Sequence, residues 1–546
     1  MKFFTLSLFI LSLTSLTYCD LFTSIADLKN LIEMEKQFPD VIENYIESEK
    51  DRLNRLRKIA KQFKAGEMKH DIENMTNPIN AFKTIKEMTE KFNKVSSVMK
   101  ENNGESFLGD FANSHTRSFP AEEDLSGAAI GLLRLQDTYR LDAKDLTEGI
   151  INGVKSSERM AIEDIFEVAR QSYVSEDYYH CLMWMEVAKE RVLKENKNHW
   201  LFPEILEYLS FSYYKQGNVK HALREIEELL KVAPNHTRAK GNVKWYEEEL
   251  EKQGVKKIDM RRNFGRVHNP RPGSYDNSER SITEALCRNE VPVSIKETSK
   301  TYCYYKRDRP FLILAPFKVE ILRFNPLAVL FKDVINDEEI SVIQELATPK
   351  LARATVQDSV TGKLVHASYR ISKSAWLKEQ EHEVVRRINR RIDMMTNLEQ
   401  ETAEELQIAN YGIGGHYDPH FDFARKEETK AFSDLGTGNR IATVLFYMTQ
   451  PEMGGGTVFT ELKTAVQPSK YDALFWYNLL RSGEGDLRTR HAACPVLLGV
   501  KWVSNKWIHE LGQETRRPCG LKPSIQERFV GDLGGPEPKD APNFRS

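Results

Sequence analysis

A multidomain α+β fold, helices first and short strands after, is what this sequence predicts, and three observations predict it. A charged stretch near the start carries apolar residues at helical spacing, and the middle holds two copies of one helical repeat. Beyond Asn325, short β-branched and aromatic runs alternate with turns. At 546 residues the chain is too long for one hydrophobic core, and three or four domains are expected.

The first twenty residues, MKFFTLSLFILSLTSLTYCD, join a lysine, an apolar run and small residues. This is the pattern of a secretory leader over residues 1–19, cleaved near Cys19, because the run is short for a bilayer span. No other stretch is long and apolar enough to cross a membrane. Residues 20–145 read as a helical region. Leu21 to Lys64 contains no glycine and one proline, and Ile42, Ile46, Leu53, Leu56, Ile59 and Phe63 fall at spacings of three, four and seven. Such a seam on a charged helix suits a partner helix, so a coiled coil that joins two copies of the chain is expected.

Residues 146–250 hold the repeat. Leu206, Leu209, Ser210, Tyr213, Ala222, Ile226, Leu229 and Pro234 occupy the places of a tetratricopeptide unit, and Ile165, Val168, Ala169, Cys181, Met185 and Ala188 those of an earlier copy. Cys181 and Ala222 stand 222 − 181 = 41 residues apart. The repeat length is about 34, so an extra turn or loop separates the copies. Cys181 then packs between helices and is read as core. The module is rich in aromatics, and Tyr208 and Phe211, three residues apart, are placed to line a groove of the kind that binds proline-rich peptides.

Residues 251–325 read as a linker holding the first two cysteines of a later group of four. Residues 326–525 show short strands at a spacing that suits a double-stranded β-helix, or jelly roll, and 526–546 form a tail. The formal net charge of −2 offers nothing to a nucleic acid. Once the leader is removed, five cysteines remain (Cys181, Cys287, Cys303, Cys494 and Cys519), and a secretory route makes disulfides expected without fixing connectivity. On the same route Asn74 and Asn235 are glycosylation acceptors. The end, APNFRS, is no retrieval signal, so retention in the endoplasmic reticulum would need a partner.

The chemistry sits in HYDPHFDFARKEE, residues His416 to Glu428, which holds two His-x-Asp patterns. Alternation along a strand puts such a pair on one face, and two histidines with one carboxylate make the facial triad of non-haem Fe(II) oxygenases. His416 follows a glycine-rich turn and precedes Pro419, where geometry is loose. His420 and Asp422 begin an alternating run backed by Phe421 and Phe423, and are the preferred pair. A third ligand is offered by His491, with Lys501 ten residues beyond it. A hairpin through PVLLG brings Lys501 back beside His491, where a cation is needed for the far carboxylate of 2-oxoglutarate. His509 shares the Lys501 face, but eight residues of strand span roughly 26 Å, so it is left out of the site.

With HYDPHFDFARK, RIATVLFYM and RTRHAACPV…KWVSNKWIHE on the page, the chain resembles the collagen prolyl 4-hydroxylase α-subunit family along nearly its whole length. The resemblance implies Fe(II) on His420, Asp422 and His491, and 2-oxoglutarate on Lys501 with Tyr411 and Thr443. O2 would be the other co-substrate and L-ascorbate the reductant. It implies a peptide site on Tyr173, Tyr208, Phe211, Arg238, Asn242 and Trp245. It also implies disulfides Cys287–Cys303 and Cys494–Cys519, the pairs nearest in the chain. Family members commonly have Glu where this chain has Asp418, so the first His-x-Asp reads as incidental. The implied activity is 4-hydroxylation of proline in X-Pro-Gly sequences of procollagen in the endoplasmic reticulum lumen. The implied assembly is an α2β2 tetramer with protein disulfide isomerase as β subunit. Two alternatives stay open on the residues alone: an inactive collagen-peptide-binding protein, and a hydroxylase of lysine or of proline C3.

Overall fold

The computed structural model describes residues 47, 50–64, 76–100 and 122–532, apart from 274–277, 358–363, 367–368, 413, 429–430 and 433–434. The leader, Ile42, Ile46 and the acceptor Asn74 lie outside the described residues. The chain divides into two compact units, Met1–Lys69 with Met88–Phe119 and His70–Glu87 with Pro120–Ser546. In the first, residues 51–64 are helical. Leu53 and Phe63 of the expected seam are 49% and 40% exposed, and Leu56 and Ile59 are half-buried. Among the described residues no helix is long and apolar enough to cross a membrane.

In the second unit, α1 (Glu122–Tyr139) leads into the repeat module. The module consists of α2 (Ile162–Val174), α3 (Tyr178–Glu195), α4 (Phe202–Lys215), α5 (Val219–Val232) and α6 (Thr237–Lys252). Every expected repeat position from Ile165 to Leu229 is buried, because these residues face the neighbouring helix at i, i+3 and i+4. The extra length between copies has two sources. α3 runs 18 residues where α5 runs 14, and the turn at 196–201 is longer than that at 233–236. Cys181 is core as read: Ser212 donates to its sulfur at 3.2 Å, and burial pushes the thiol up to about 12. The acceptor Asn235 is exposed in the turn after α5.

After α7 (Glu279–Cys287) the chain turns to strands. β1 (Cys303–Lys306), β2 (Phe317–Phe324), β3 (Leu327–Lys332), β4 (Ala352–Arg353), β5 (Arg370–Ile371), β6 (Lys373–Leu377) and β7 (Leu406–Tyr411) come first. β8 (His416–His420), β9 (Arg440–Tyr447), β10 (Thr457–Phe459), β11 (Thr464–Val466), β12 (Ala473–Tyr477), β13 (His491–Ala493) and β14 (Lys501–His509) follow. Nine form one antiparallel sheet in the order β1-β2-β3-β12-β9-β14-β7-β6-β4, and five another in the order β11-β10-β13-β8-β5. The larger sheet therefore begins at Cys303, upstream of the boundary read at 326. On β9, Ala442, Val444 and Phe446 pack in one core with α8 (Asp337–Ala347) and α9 (Glu383–Thr396), while Leu445 and Tyr447 join Phe459 and Val466 of the smaller sheet in another. The strand's two-residue period divides them. α9 stops where Asn397 adopts a left-handed conformation, φ 61°.

The disulfides differ from expectation. Cys287 is bonded to Cys494 across 207 residues, with their Cα atoms 5.6 Å apart, and Cys303 and Cys519 are free and exposed. The bond ties the end of α7 to the residue after β13, so the pairing follows which elements pack together rather than distance along the chain. Cys303 lies instead on an edge strand of the larger sheet.

Candidate active site

β8 and β13 are antiparallel neighbours, and their register sets His420 directly opposite His491. The ladder shifts between Tyr417 and His420, since Pro419 has no N–H to give it. Contrary to the expected run, the strand ends at His420 and Asp422 sits in the bend beyond. Asp422 still turns inward. Its Oδ1 lies 3.6 Å from His420 Nε2 and its Oδ2 3.6 Å from His491 Nε2. One ligand atom from each of the three residues falls within 4.8 Å of the others.

The histidine tautomers follow from their other nitrogens. His420 Nδ1 is 2.8 Å from the carbonyl of Asp418, and His491 Nδ1 is 2.9 Å from that of Thr489. A carbonyl can only accept, so each Nδ1 carries a proton and each Nε2 is the ring atom aimed at Asp422. Burial and the neighbouring His420 hold the His491 imidazolium down to about 4, leaving it a neutral ligand at pH 7. Burial raises the Asp422 carboxyl, but His491, His420 and Arg440 outweigh it and hold it well below the usual carboxylate range. The donor set is thus two imidazoles and a carboxylate, the residue types of a facial divalent-metal site.

Supporting residues fix this set. The Thr443 hydroxyl donates to Asp422 Oδ2 at 2.8 Å and accepts from Asn478 Nδ2 at 2.9 Å. Thr443, expected to meet the co-substrate, orients the carboxylate here. The Tyr417 ring stacks on His420 with centroids 3.5 Å apart, and Trp476 meets His491 edge-on at 4.8 Å. Arg440 pairs with Glu404 and packs 3.9 Å from the Trp507 ring centre. Tyr417, Asn478 and Arg440 were not anticipated. Tyr417 and Arg440 lie in the quoted motifs, and a charge opening an apolar strand was the available signal.

Lys501 pairs with Tyr411 across β14 and β7, and its ammonium is 5.0 Å from that ring's centre. It is buried, and among the described residues no carboxylate comes within ion-pair distance of it. Burial alone pushes its pKa down to about 7. An anion placed beside this amine would restore its charge. His416 is buried with its Nε2 3.3 Å from Asp418 Oδ1, outside the three-residue group. His509 contacts Glu404 at 3.0 Å. A cavity of about 1500 Å³ opens onto His420 and Asp422, walled by Tyr369, Arg370, Trp376, Tyr417, Arg440 and Trp507. Lys501 and Tyr411 are not among the residues that line it.

On the module, α2, α4 and α6 bring the expected aromatics into one run. Tyr173 meets Tyr208 at 4.7 Å and Phe211 at 5.6 Å between ring centroids, and Tyr214 meets Trp245 at 4.4 Å. Phe211 and Tyr214, 6.1 Å apart, join the two groups. Tyr214 was missed, although the three-residue step from Tyr208 to Phe211 leads to it. Arg238 and Asn242 share the Trp245 face of α6, and Arg238 is held by Glu207 at 3.0 Å.

Three family models match: the prolyl 4-hydroxylase alpha-subunit N-terminal region over residues 24–153, the prolyl 4-hydroxylase peptide-substrate-binding domain over 162–252, and the 2OG-Fe(II) oxygenase superfamily over 406–509. The chain is 59% identical over 544 residues to prolyl 4-hydroxylase subunit alpha-1 of Caenorhabditis elegans, covering 98% of this chain and 97% of that one. It is 43% identical over 517 residues to prolyl 4-hydroxylase subunit alpha-1 of Homo sapiens, covering 93% and 97%. A solved structure of the viral collagen prolyl hydroxylase of Paramecium Bursaria Chlorella virus-1, in its 2OG complex, covers 34% of this chain and 96% of that one at 24% identity and a TM-score of 0.28.

Proposed function

The chain belongs to the prolyl 4-hydroxylase α-subunit family, and from that premise we propose that it hydroxylates C4 of proline in X-Pro-Gly sequences of procollagen. Fe(II) is its metal, 2-oxoglutarate and O2 its co-substrates and L-ascorbate its reductant. When bound, these supply the oxidising chemistry, converting 2-oxoglutarate to succinate and CO2 as the prolyl C–H becomes C–OH.

The protein's part is placement. His420, Asp422 and His491 hold the metal, with the Asp418 and Thr489 carbonyls fixing the imidazoles and Thr443 the carboxylate. Lys501 takes the far carboxylate of 2-oxoglutarate, with Tyr411 beside it. The aromatic side chains in the cavity wall offer packing surface for the ring of the reacting proline. The module binds proline-rich chain on the run from Tyr173 to Trp245. The observation that carries the reading is the convergence of His420, Asp422 and His491 beside a large open cavity that His420 and Asp422 line.

The two sheets, which share an apolar interior, form a jelly roll on this reading. The domains run 1–19, 20–145 and 146–250, then a linker from 251 and an oxygenase domain from Cys303, where its larger sheet starts, through the buried Val530. The exposed Leu53 and Phe63 support pairing of the N-terminal seam with a second α subunit. A protein disulfide isomerase β subunit completes an α2β2 tetramer in the endoplasmic reticulum lumen. Mass spectrometry of a (Pro-Pro-Gly) peptide turned over with Fe(II) and 2-oxoglutarate tests the activity. Hydroxyl on proline C4 supports it, whereas hydroxylation at C3 or of lysine, or none, refutes it.

A further inference from the structure

The catalytic sheets and the repeat module meet on one helix, α1. On the module side, Trp184 Nε1 of α3 donates to Gln136 Oε1 at 2.8 Å, and His180 Nε2 lies 3.0 Å from Asp137 Oδ1. On the other side, Arg134 donates to the Gly414 carbonyl at 3.2 Å, and Tyr139 Oη to that of Pro495 at 2.6 Å. Gly414 stands two residues before β8, and Pro495 two residues after β13, so both contacts flank the strands that carry the metal histidines. The approach is close. A Cβ on Gly414, whose φ is +58°, would come within 2.6 Å of the Gly131 carbonyl oxygen on α1.

Asp137 is the centre of a buried charge cluster at this junction. Arg271 of the linker reaches its Oδ2 at 2.9 Å and Arg280 of α7 at 3.1 Å, and both arginines also engage Glu284. The far nitrogen of His180 is 2.6 Å from Asp177, the N-cap of α3. Burial opposes charge on His180, but Asp137 and Asp177 overcome it and push its pKa up to about 9, so both contacts persist at neutral pH. An apolar seam would hold these segments together equally well. A cluster with Asp137 and His180 buried at its centre adds directionality, and setting register is the best-attested use of such groups.

We propose that the Asp137–His180–Asp177 chain is a positioning lock that sets the distance between the module's aromatic run and the metal site, so that one proline-rich chain engages both at once. His180 and Asp177 are positioning residues that act through α1. The inference rests on the reading of the module as the peptide site and of the cavity as the reaction site.

The test uses the full-length enzyme. KM and kcat are measured for a short and a long (Pro-Pro-Gly) peptide, and peptide affinity is measured directly by calorimetry without iron or 2-oxoglutarate. His180→Gln removes the charge while keeping a hydrogen-bonding side chain. Asp177→Asn keeps the helix cap and weakens only the outer contact, so it serves if the first variant fails to fold. With the register loosened, the long peptide loses its effective-concentration gain, and its KM rises roughly tenfold in His180→Gln and in the same direction, by less, in Asp177→Asn. The kcat, the short-peptide KM and the calorimetric affinity for the short peptide stay at wild-type values. Equal KM changes for both lengths, or a long-peptide KM unchanged in a folded variant, would overturn the lock alone. A wild-type enzyme that treats both lengths alike would overturn the peptide-module reading and the lock with it.

Discussion

Lys501 offers the sharpest quantitative test, because its ammonium is buried, faces the Tyr411 ring and has no carboxylate within ion-pair distance among the described residues. Lys501→Ala would leave the far carboxylate of bound 2-oxoglutarate desolvated and unpaired, a loss of roughly 2–5 kcal/mol. At 1.4 kcal/mol per decade this raises the KM for 2-oxoglutarate about thirty-fold or more. Metal affinity should not move, since Lys501 is not among the three converging ligands. Burial also gives the interaction a pH signature. With the free ammonium pushed down to about 7, a bound dianion must raise it again, so binding takes up a proton. The affinity is then complete below pH 7 and falls above it, by up to about tenfold per pH unit until the raised pKa is reached. Lys501→Arg keeps its charge at all these pH values and should flatten that profile, though its planar fork fits the space less well. Gly455 tightens the same pocket, since a Cβ there would lie 3.2 Å from Lys501 Cδ, and Gly455→Ala should raise the KM as well. The assay is a 2-oxoglutarate titration with iron saturating, following succinate release from pH 6 to 9. An unchanged KM in Lys501→Ala would remove this residue from the co-substrate site.

Three further outcomes are expected. His420→Ala, Asp422→Ala and His491→Ala should each abolish turnover, while His416→Ala and Asp418→Ala keep substantial activity, because His420 leans on the Asp418 carbonyl rather than its side chain; iron loss in His416→Ala equal to that in His420→Ala would reverse the assignment. Tyr208→Ala removes the ring that meets Tyr173 at 4.7 Å and should raise the KM of long proline-rich peptides more than of short ones; a uniform rise would count against the module as peptide site. Cys287→Ser opens a bond spanning 207 residues, which chain entropy values at about 5 kcal/mol as an upper figure, so Tm should drop sharply, whereas Cys303→Ser should leave it unchanged; a non-reducing peptide map that joins Cys287 to Cys303 would refute the pairing.

What could be read from the sequence was whatever depends on local periodicity. The repeat positions of α2 to α5 are buried as spaced, because a helical face is a property of neighbours three and four apart. The two faces of β9 are set in the same way by its period of two. What could not be read depends on which distant elements pack together. Cys494 follows β13, and β13 pairs with β10, whose Val458 packs beside Cys287 and Leu286 of α7; no spacing in the chain encodes that meeting. The run expected to carry Asp422 on a strand stops at His420 because Pro419 breaks the ladder, and it is the resulting bend that turns the carboxylate between two imidazoles. The tautomers lie between these cases. Each metal histidine gives its Nδ1 proton to the carbonyl two residues before it, Asp418 for His420 and Thr489 for His491. Any residue can supply a carbonyl, so this device leaves no mark on residue identity. It follows that substitutions at Asp418 and Thr489 are tolerated at the metal while a backbone shift of either is not, and the rigidity of the site comes from the bulge and the turn rather than from the side chains that name it.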